Sequence, residues 1–258
     1  MLEKILETKR EEIKRITLPE PVEVQKYSLK EALTANENEV QVIAEVKKAS
    51  PSKGVIRKTF DPEEIALQYE KGGAAALSVL TDEEYFQGNR TYIPIIKQKV
   101  ALPVLRKEFI IDSIQLYESV RIGADAVLLI AAALETSKLH ELYEEAYELG
   151  LEAIVEFHSE EELEEVLAQF KPLILGINNR NLHTFETTLA TTKKLSSYVP
   201  KESVFVSESG IYTYEDIQYV KEWKANAVLV GESLMRQDNV EKALRTLRGE
   251  NVNETTVR

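Results

Sequence analysis

A (β/α)8 barrel of the TIM class, preceded by one extra helix, is the fold this sequence predicts, and three observations predict it. Short apolar runs recur along the chain: VIAEV (42–46), AALSVL (75–80), PVLRK (103–107), AVLLIA (126–131), AIVEF (153–157), LILGIN (173–178), VFVSES (204–209) and AVLVGE (227–232). Their starts fall roughly 20 to 33 residues apart, about one βα unit each. The stretches between them carry helical periodicity, and such alternation builds parallel sheets. Eight repeats suit a closed barrel better than an open doubly wound sheet, and 258 residues with 43% hydrophobic content can bury its core. A single domain over residues 1–258 is the expectation.

Taken in order, the charged opening MLEKILETKREEIKRI reads as a helix over 1–16, with Pro19 and Pro21 marking its exit. The loop Ile56–Asp61 after the first strand is long enough to serve as a lid. Asp61 before Pro62 sets a capping carboxylate and a proline at a helix start, and Gly72-Gly73 closes that helix. Asp112 opens DSIQLYESVRI before Gly123, Thr136 opens SKLHELYEEAYEL before Gly150, and Thr213 opens YEDIQYVKEWK. The tail GENVNETTVR (249–258) reads as a frayed end, and its Asn253-Glu254-Thr255 sequon has no meaning in a cytosolic chain.

Composition narrows the function classes. A net charge of −12 argues against nucleic acid, whose phosphates are met by clustered Lys and Arg, yet it leaves room for a small anion held by local cations. The absence of cysteine excludes disulfides, thiolate chemistry and cysteine metal sites. No apolar run nears the roughly 20 residues of a membrane span, and no signal peptide opens the chain. A cytoplasmic protein with neither membrane nor nucleic-acid partners is expected, and a monomer is compatible with this. No G-x-G-x-x-G or Walker string follows a strand, which weakens dinucleotide and nucleoside triphosphate readings.

Active sites of such barrels lie at the C-terminal ends of the strands. There the sequence is unusually charged, with Glu45 and Lys47 on the first run, Lys107 and Glu108 on the third, Glu156 on the fifth, Asn178, Asn179 and Arg180 at the sixth, and Glu208 and Ser209 on the seventh. Burying an unpaired carboxylate or ammonium is costly. One of them alone reads as a lining salt bridge, but Glu45, Lys47, Lys107, Glu156 and Glu208 together point to acid-base chemistry. Alternation turns Lys48 and Arg106 the other way, toward the helix layer or rim.

SESGI (207–211) and VGES (230–233) place Gly210 and Gly231 where backbone N–H groups of such barrels bind phosphate, with Ser209 or Ser233 to add a hydroxyl. KKASPSKG offers Ser50 and Ser52 as further donors. The carboxylates could also hold Mg2+, but two lysines in the same ring already supply positive charge. The histidines His140, His158 and His183 lack ligand-like spacing, so no metal is expected. From the residues alone, an aldolase working through a lysine Schiff base and a non-catalytic phosphate-binding barrel both stay open.

The strings IAEVKKASPSKG (43–54), SVLTDEEYFQG (78–88), PVLRKEFIID (103–112), GADAVLLIAA (123–132), IVEFH (154–158), GINNRNLHTFE (176–186), SESGI and VLVGESLM (228–235) resemble, in this order, the indole-3-glycerol phosphate synthase family of tryptophan biosynthesis. The resemblance runs from Met1 to about Leu247. It implies ring closure of 1-(2-carboxyphenylamino)-1-deoxyribulose 5-phosphate to indole-3-glycerol phosphate, with loss of CO2 and water and no cofactor. It also implies Lys107 as general acid, Glu156 as general base, Lys47 as the lysine that meets the substrate carboxylate and can share acid duty, and Glu45 and Glu208 as further catalytic carboxylates. Asn178 and Arg180 match substrate-binding positions. Ser50, Ser209 with Gly210, and Gly231 with Glu232 match the phosphate cradle, and Phe86, Phe109, Leu128, Ile130 and Leu182 are apolar positions for the aromatic ring. The sequence departs from the family at Glu108, where aspartate is frequent, and at Glu232, where small residues are frequent and only the backbone N–H is carried over.

Overall fold

The computed structural model describes residues 1–182 and 184–251. His183 lies outside the described residues, as do residues 252–258, which hold the sequon and most of the tail expected to fray. Each apolar run forms a strand: β1 (Gln41–Val46), β4 (Ala76–Leu80), β5 (Val104–Lys107), β6 (Ala126–Ile130), β7 (Glu152–Phe157), β8 (Ile174–Asn178), β9 (Val204–Glu208) and β10 (Ala227–Val230). All pair in parallel and close into a barrel in the order β1-β10-β9-β8-β7-β6-β5-β4. A hairpin of β2 (Ala49–Ser50) and β3 (Gly54–Val55) stands above β1; two residues per strand are too few to show in a periodicity.

The helices are α1 (Leu2–Ile13), α2 (Leu29–Thr34), α3 (Pro62–Lys71), α4 (Tyr92–Lys97), α5 (Ser113–Arg121), α6 (Thr136–Glu148), α7 (Glu160–Leu167), α8 (Ala190–Leu195), α9 (Tyr214–Glu222), α10 (Glu232–Met235) and α11 (Val240–Leu247). None among the described residues is long and apolar enough to cross a membrane. Asp61 caps α3 by accepting from Glu63 N and Glu64 N, and capping boxes at Asp112/Gln115 and Thr213/Asp216 start α5 and α9. Thr136 is a correction. The cap position of α6 is Glu135, without a side-chain bond, and the Thr136 hydroxyl instead donates to Glu165 Oε1 at 2.7 Å, tying α6 to α7.

The helix α2 was not anticipated. Ser28 caps it, accepting from Glu31 N, and Leu29 and Leu33 are fully buried in the barrel floor. Glu152, at the foot of β7, accepts from Leu29 N, Lys30 N and Ser28 Oγ, so a carboxylate satisfies the free N–H groups of the first turn. Above β1, the expected lid is fastened at Arg57, whose guanidinium donates to the carbonyls of Met235, Gln237 and Asp238.

Helix α1 docks through charge as well as apolar contact. Ile5 and Leu6 are buried, and Lys9, 2% exposed, meets Asp82 Oδ2 at 2.7 Å, Glu108 Oε1 at 3.0 Å and Glu12 Oε2 at 2.7 Å. Glu108 also accepts from Thr81 Oγ1 at 2.7 Å. Arg106 points into the helix layer, as alternation requires, and pairs with Glu118 at 2.5 Å. Lys9→Ala should therefore strand two buried carboxylates and lower stability by about 3 to 5 kcal/mol, the usual cost of breaking one side of a buried ion pair. Urea unfolding at neutral pH would measure it; a loss below about 1 kcal/mol would show that α1 is held by its apolar face alone.

Candidate active site

Within the barrel, residues of alternate strands share a tier. Ile43, Leu105, Ile154 and Val206, on β1, β5, β7 and β9, lie in one inner apolar cluster. Two residues further along the same strands come Glu45, Lys107, Glu156 and Glu208, so one turn of the strand period replaces an apolar layer with a charged one. Lys107 Nζ bridges the ring, 2.9 Å from Glu156 Oε2 and 2.7 Å from Glu208 Oε2. Lys47, one tier higher, sits 2.5 Å from Glu45 Oε1.

These contacts set the protonation states. Burial would push Lys107 down, but Glu156, Glu208 and Glu45 outweigh it and hold the ammonium above its usual range. A Schiff-base lysine must be a neutral amine, so this environment works against the aldolase reading. The two carboxylates on Lys107 are driven apart. Burial would raise Glu156, yet Lys107 and then His158 hold it well below the usual carboxylate range. Glu208 is 1% exposed, its Oε1 has no hydrogen-bond partner among the described residues, and burial together with the charge of Glu156 pushes it up to about 8 despite Lys107. Both carboxylates meet Lys107, but Glu156 also faces the His158 ring while Glu208 is buried against Glu156, so of the pair it is Glu208 that is pushed toward its protonated form.

Room for the charged tier comes from glycine on the adjoining strands. A Cβ on Gly176 of β8 would stand 2.3 Å from Glu208 Oε1, and one on Gly231, just past β10, 2.3 Å from Glu45 Oε1. Gly231, expected to serve an anion, thus also leaves the Glu45 carboxylate its present position, which a side chain there would force it to give up. Gly210 has the other reason, a φ of +81°, and Ser209 before it has φ +67°. Asn179 braces this turn, donating to Ser207 Oγ, Glu208 O and Ser209 O while accepting from Thr192; the sequence lists Asn179 among strand-end residues but gives no sign of that role.

The residues to which the family resemblance assigns a role line one pocket at this end of the barrel: Glu45, Lys47, Ser50, Phe86, Lys107, Phe109, Leu128, Ile130, Glu156, Asn178, Arg180, Leu182, Glu208, Ser209, Gly210, Gly231 and Glu232; Asn179, also named at a strand end, does not. Phe86 and Phe109 tilt together at 6.1 Å and form an apolar wall. In the same pocket Ser50 Oγ is buried without a hydrogen-bond partner among the described residues, and Arg180 reaches Ser52 Oγ at 3.0 Å and Glu232 Oε2 at 3.7 Å. Glu232 also neighbours Lys53 and Arg236, so cations outnumber it at this rim. Ser233 uses its hydroxyl hydrogen on Ile211 O and is not free to donate elsewhere. Sequence reasoning missed Met1, Leu2 and Ile5, which line the mouth because Lys9 brings α1 there.

A family profile described as indole-3-glycerol phosphate synthase matches residues 2–247. A protein of that name from Priestia megaterium is 62% identical over 250 residues, 97% of this chain and 98% of its own length. Another from Halalkalibacterium halodurans is 57% identical over 249 residues, covering 96% of this chain and 97% of its own. Among solved structures, 3-hexulose-6-phosphate synthase from Salmonella typhimurium superposes with a TM-score of 0.64 at 12% identity, over 81% of this chain and 97% of that one; such a likeness speaks for the fold alone.

Gly176→Ala should push the Glu208 carboxylate off Lys107 while leaving the backbone in place. The expected result is a fall in kcat of about tenfold or more with folding retained by circular dichroism, since a displaced group of this kind costs at least one order in rate. Wild-type kcat in this variant would mean that Glu208 can sit elsewhere at no cost.

Proposed function

The chain belongs to the indole-3-glycerol phosphate synthase family, and on that premise we propose that its charged tier divides the acid-base work of the ring closure, with Lys107 as general acid and Glu156 as general base. The enzyme converts 1-(2-carboxyphenylamino)-1-deoxyribulose 5-phosphate to indole-3-glycerol phosphate, releasing CO2 and water. The observation that carries the assignment is the Lys107 ammonium held between an ionised Glu156 and a Glu208 that tends to keep its proton.

The chemistry makes three demands. As the aryl carbon attacks the ribulose carbonyl, the oxygen becomes an alkoxide and needs a proton, which a cation above its usual pKa range can give because a developing alkoxide is more basic still. Loss of CO2 then restores the aromatic ring. Finally the hydroxyl leaves as water with a second proton, while a base removes a proton from the new five-membered ring. Lys107 suits the donor steps and Glu156 the acceptor step. Lys47, one tier above and next to Glu45, suits the substrate carboxylate, and its position nearer the rim favours binding over proton transfer. Phe86, Phe109, Leu128, Ile130 and Leu182 offer the apolar surface for the aromatic ring. Asn178 and Arg180 would orient the chain of the sugar. The phosphate would meet Ser50 Oγ, the N–H groups of the Ser209-Gly210 turn and those after Gly231, with Arg180 and Lys53 supplying charge.

Glu156→Gln keeps the shape and removes the proton acceptor. It should leave KM within a few fold and lower kcat by about 10² to 10⁴. If turnover stayed near wild type in steady-state assays of indole fluorescence, the base would have to be sought at Glu45 or Glu208.

A paired comparison separates the lysines. Lys107→Ala should lose about 10² to 10⁴ in kcat, whereas Lys47→Ala should chiefly raise KM. The opposite pattern, with Lys47→Ala slow but tight and Lys107→Ala fast but weak, would move the acid to β1.

A further inference from the structure

His158 stands two positions beyond Glu156, so alternation turns it to the same side of the barrel, one tier nearer the rim. Lys47 bears the same relation to Glu45. The His158 side chain is 8% exposed, and among the described residues neither ring nitrogen has a hydrogen-bond partner of good geometry, yet each faces a carboxylate. Nε2 lies 3.3 Å from Glu156 Oε1 and Nδ1 3.7 Å from Glu162 Oε2, while the backbone N–H of His158 donates to that Glu162 oxygen at 2.8 Å. A neutral imidazole has one donor and one lone pair, so one nitrogen would aim its lone pair at an anion. Only the imidazolium suits both.

We propose that His158, as an imidazolium anchored by Glu162, is a positioning residue that fixes the orientation of Glu156 and keeps it ionised on the side away from Lys107. When Lys107 turns to the substrate, Glu156 would otherwise lose its one counter-charge and take up a proton early; His158 prevents this. The inference rests on Glu156 acting as the base.

The charged groups facing the ring are Glu156 on β7, which His158 directly follows, Glu162 at the start of α7 and Glu208 on β9. Burial lowers the imidazole, but these carboxylates, Glu162 first, outweigh it and hold the ring above its ordinary value. The imidazolium is thus present below that raised value and lost as pH rises through it.

The experiment follows kcat and KM of wild type and His158→Gln against pH, with the imidazole titrated by NMR in the same samples. His158→Gln should lower kcat about tenfold with KM changed less than about twofold. Wild-type kcat should fall in an alkaline step that coincides with the ring titration and is missing from the variant. A ring that titrates at or below its ordinary value, a variant with wild-type kcat, or a variant that keeps the step overturns the proposal. Should His158→Gln fold poorly, Glu162→Gln leaves the ring in place and removes its anchor. Ring titration and kcat step should then move together to lower pH, and a step that stays put overturns the proposal equally. Failure of the base assignment is separable, because NMR of Glu156→Gln reads the pairing without turnover: the ring should titrate lower there whether or not Glu156 is the base, and an unmoved titration overturns the pairing itself.

Discussion

The ammonium of Lys107, held at 2.9 and 2.7 Å between Glu156 and Glu208, is the contact around which the top of the barrel is arranged. Closure of eight strands brings side chains from β1, β5, β7 and β9 into one small tier, and the carboxylates placed there are almost wholly buried. They persist only by compensating one another. Each further feature answers that constraint. Lys47 covers Glu45, His158 faces the outer oxygen of Glu156, and glycines on the adjoining strands leave space for two of the carboxylates. Charge balance and geometry are one condition here, and the same condition drives Glu156 and Glu208 apart, the first below and the second above the usual carboxylate range.

How much of this was legible in the sequence depends on the range of the interaction. Strand positions were, because apolar runs and period-two alternation are local, and a charged residue inside such a run, as at Glu156 in AIVEF, marks itself. The helix caps at Asp61, Asp112 and Thr213 were legible for the same reason, and Thr136 misled because a threonine near a helix start can spend its hydroxyl on a neighbouring helix. What could not be read was partnership across the barrel. Lys107 on Glu156 and Glu208 joins residues 49 and 101 positions apart. Lys9 looks in sequence like any lysine on an exposed helix, and only the closed fold reveals that Asp82 and Glu108 wait beneath it.

Glu108 shows how alternation sorts function from support. Its neighbour Lys107 points into the barrel, so Glu108 turns outward and spends its carboxylate on Lys9 and Thr81. The longer side chain in place of the family's frequent aspartate therefore belongs to the docking of α1, and through α1 to the apolar mouth formed by Met1, Leu2 and Ile5.

Gly176 and Glu208 sit on adjoining strands with no room for a Cβ between them. The two positions are therefore coupled: with Glu208 in place an alanine at 176 has to push the carboxylate off Lys107, whereas a shorter residue at 208 would leave the methyl group room. Were the glycine filled, a glutamate restored at 208 would not regain its contact with Lys107 until residue 176 was glycine again, so the contact takes two matched residues to build and one substitution to break.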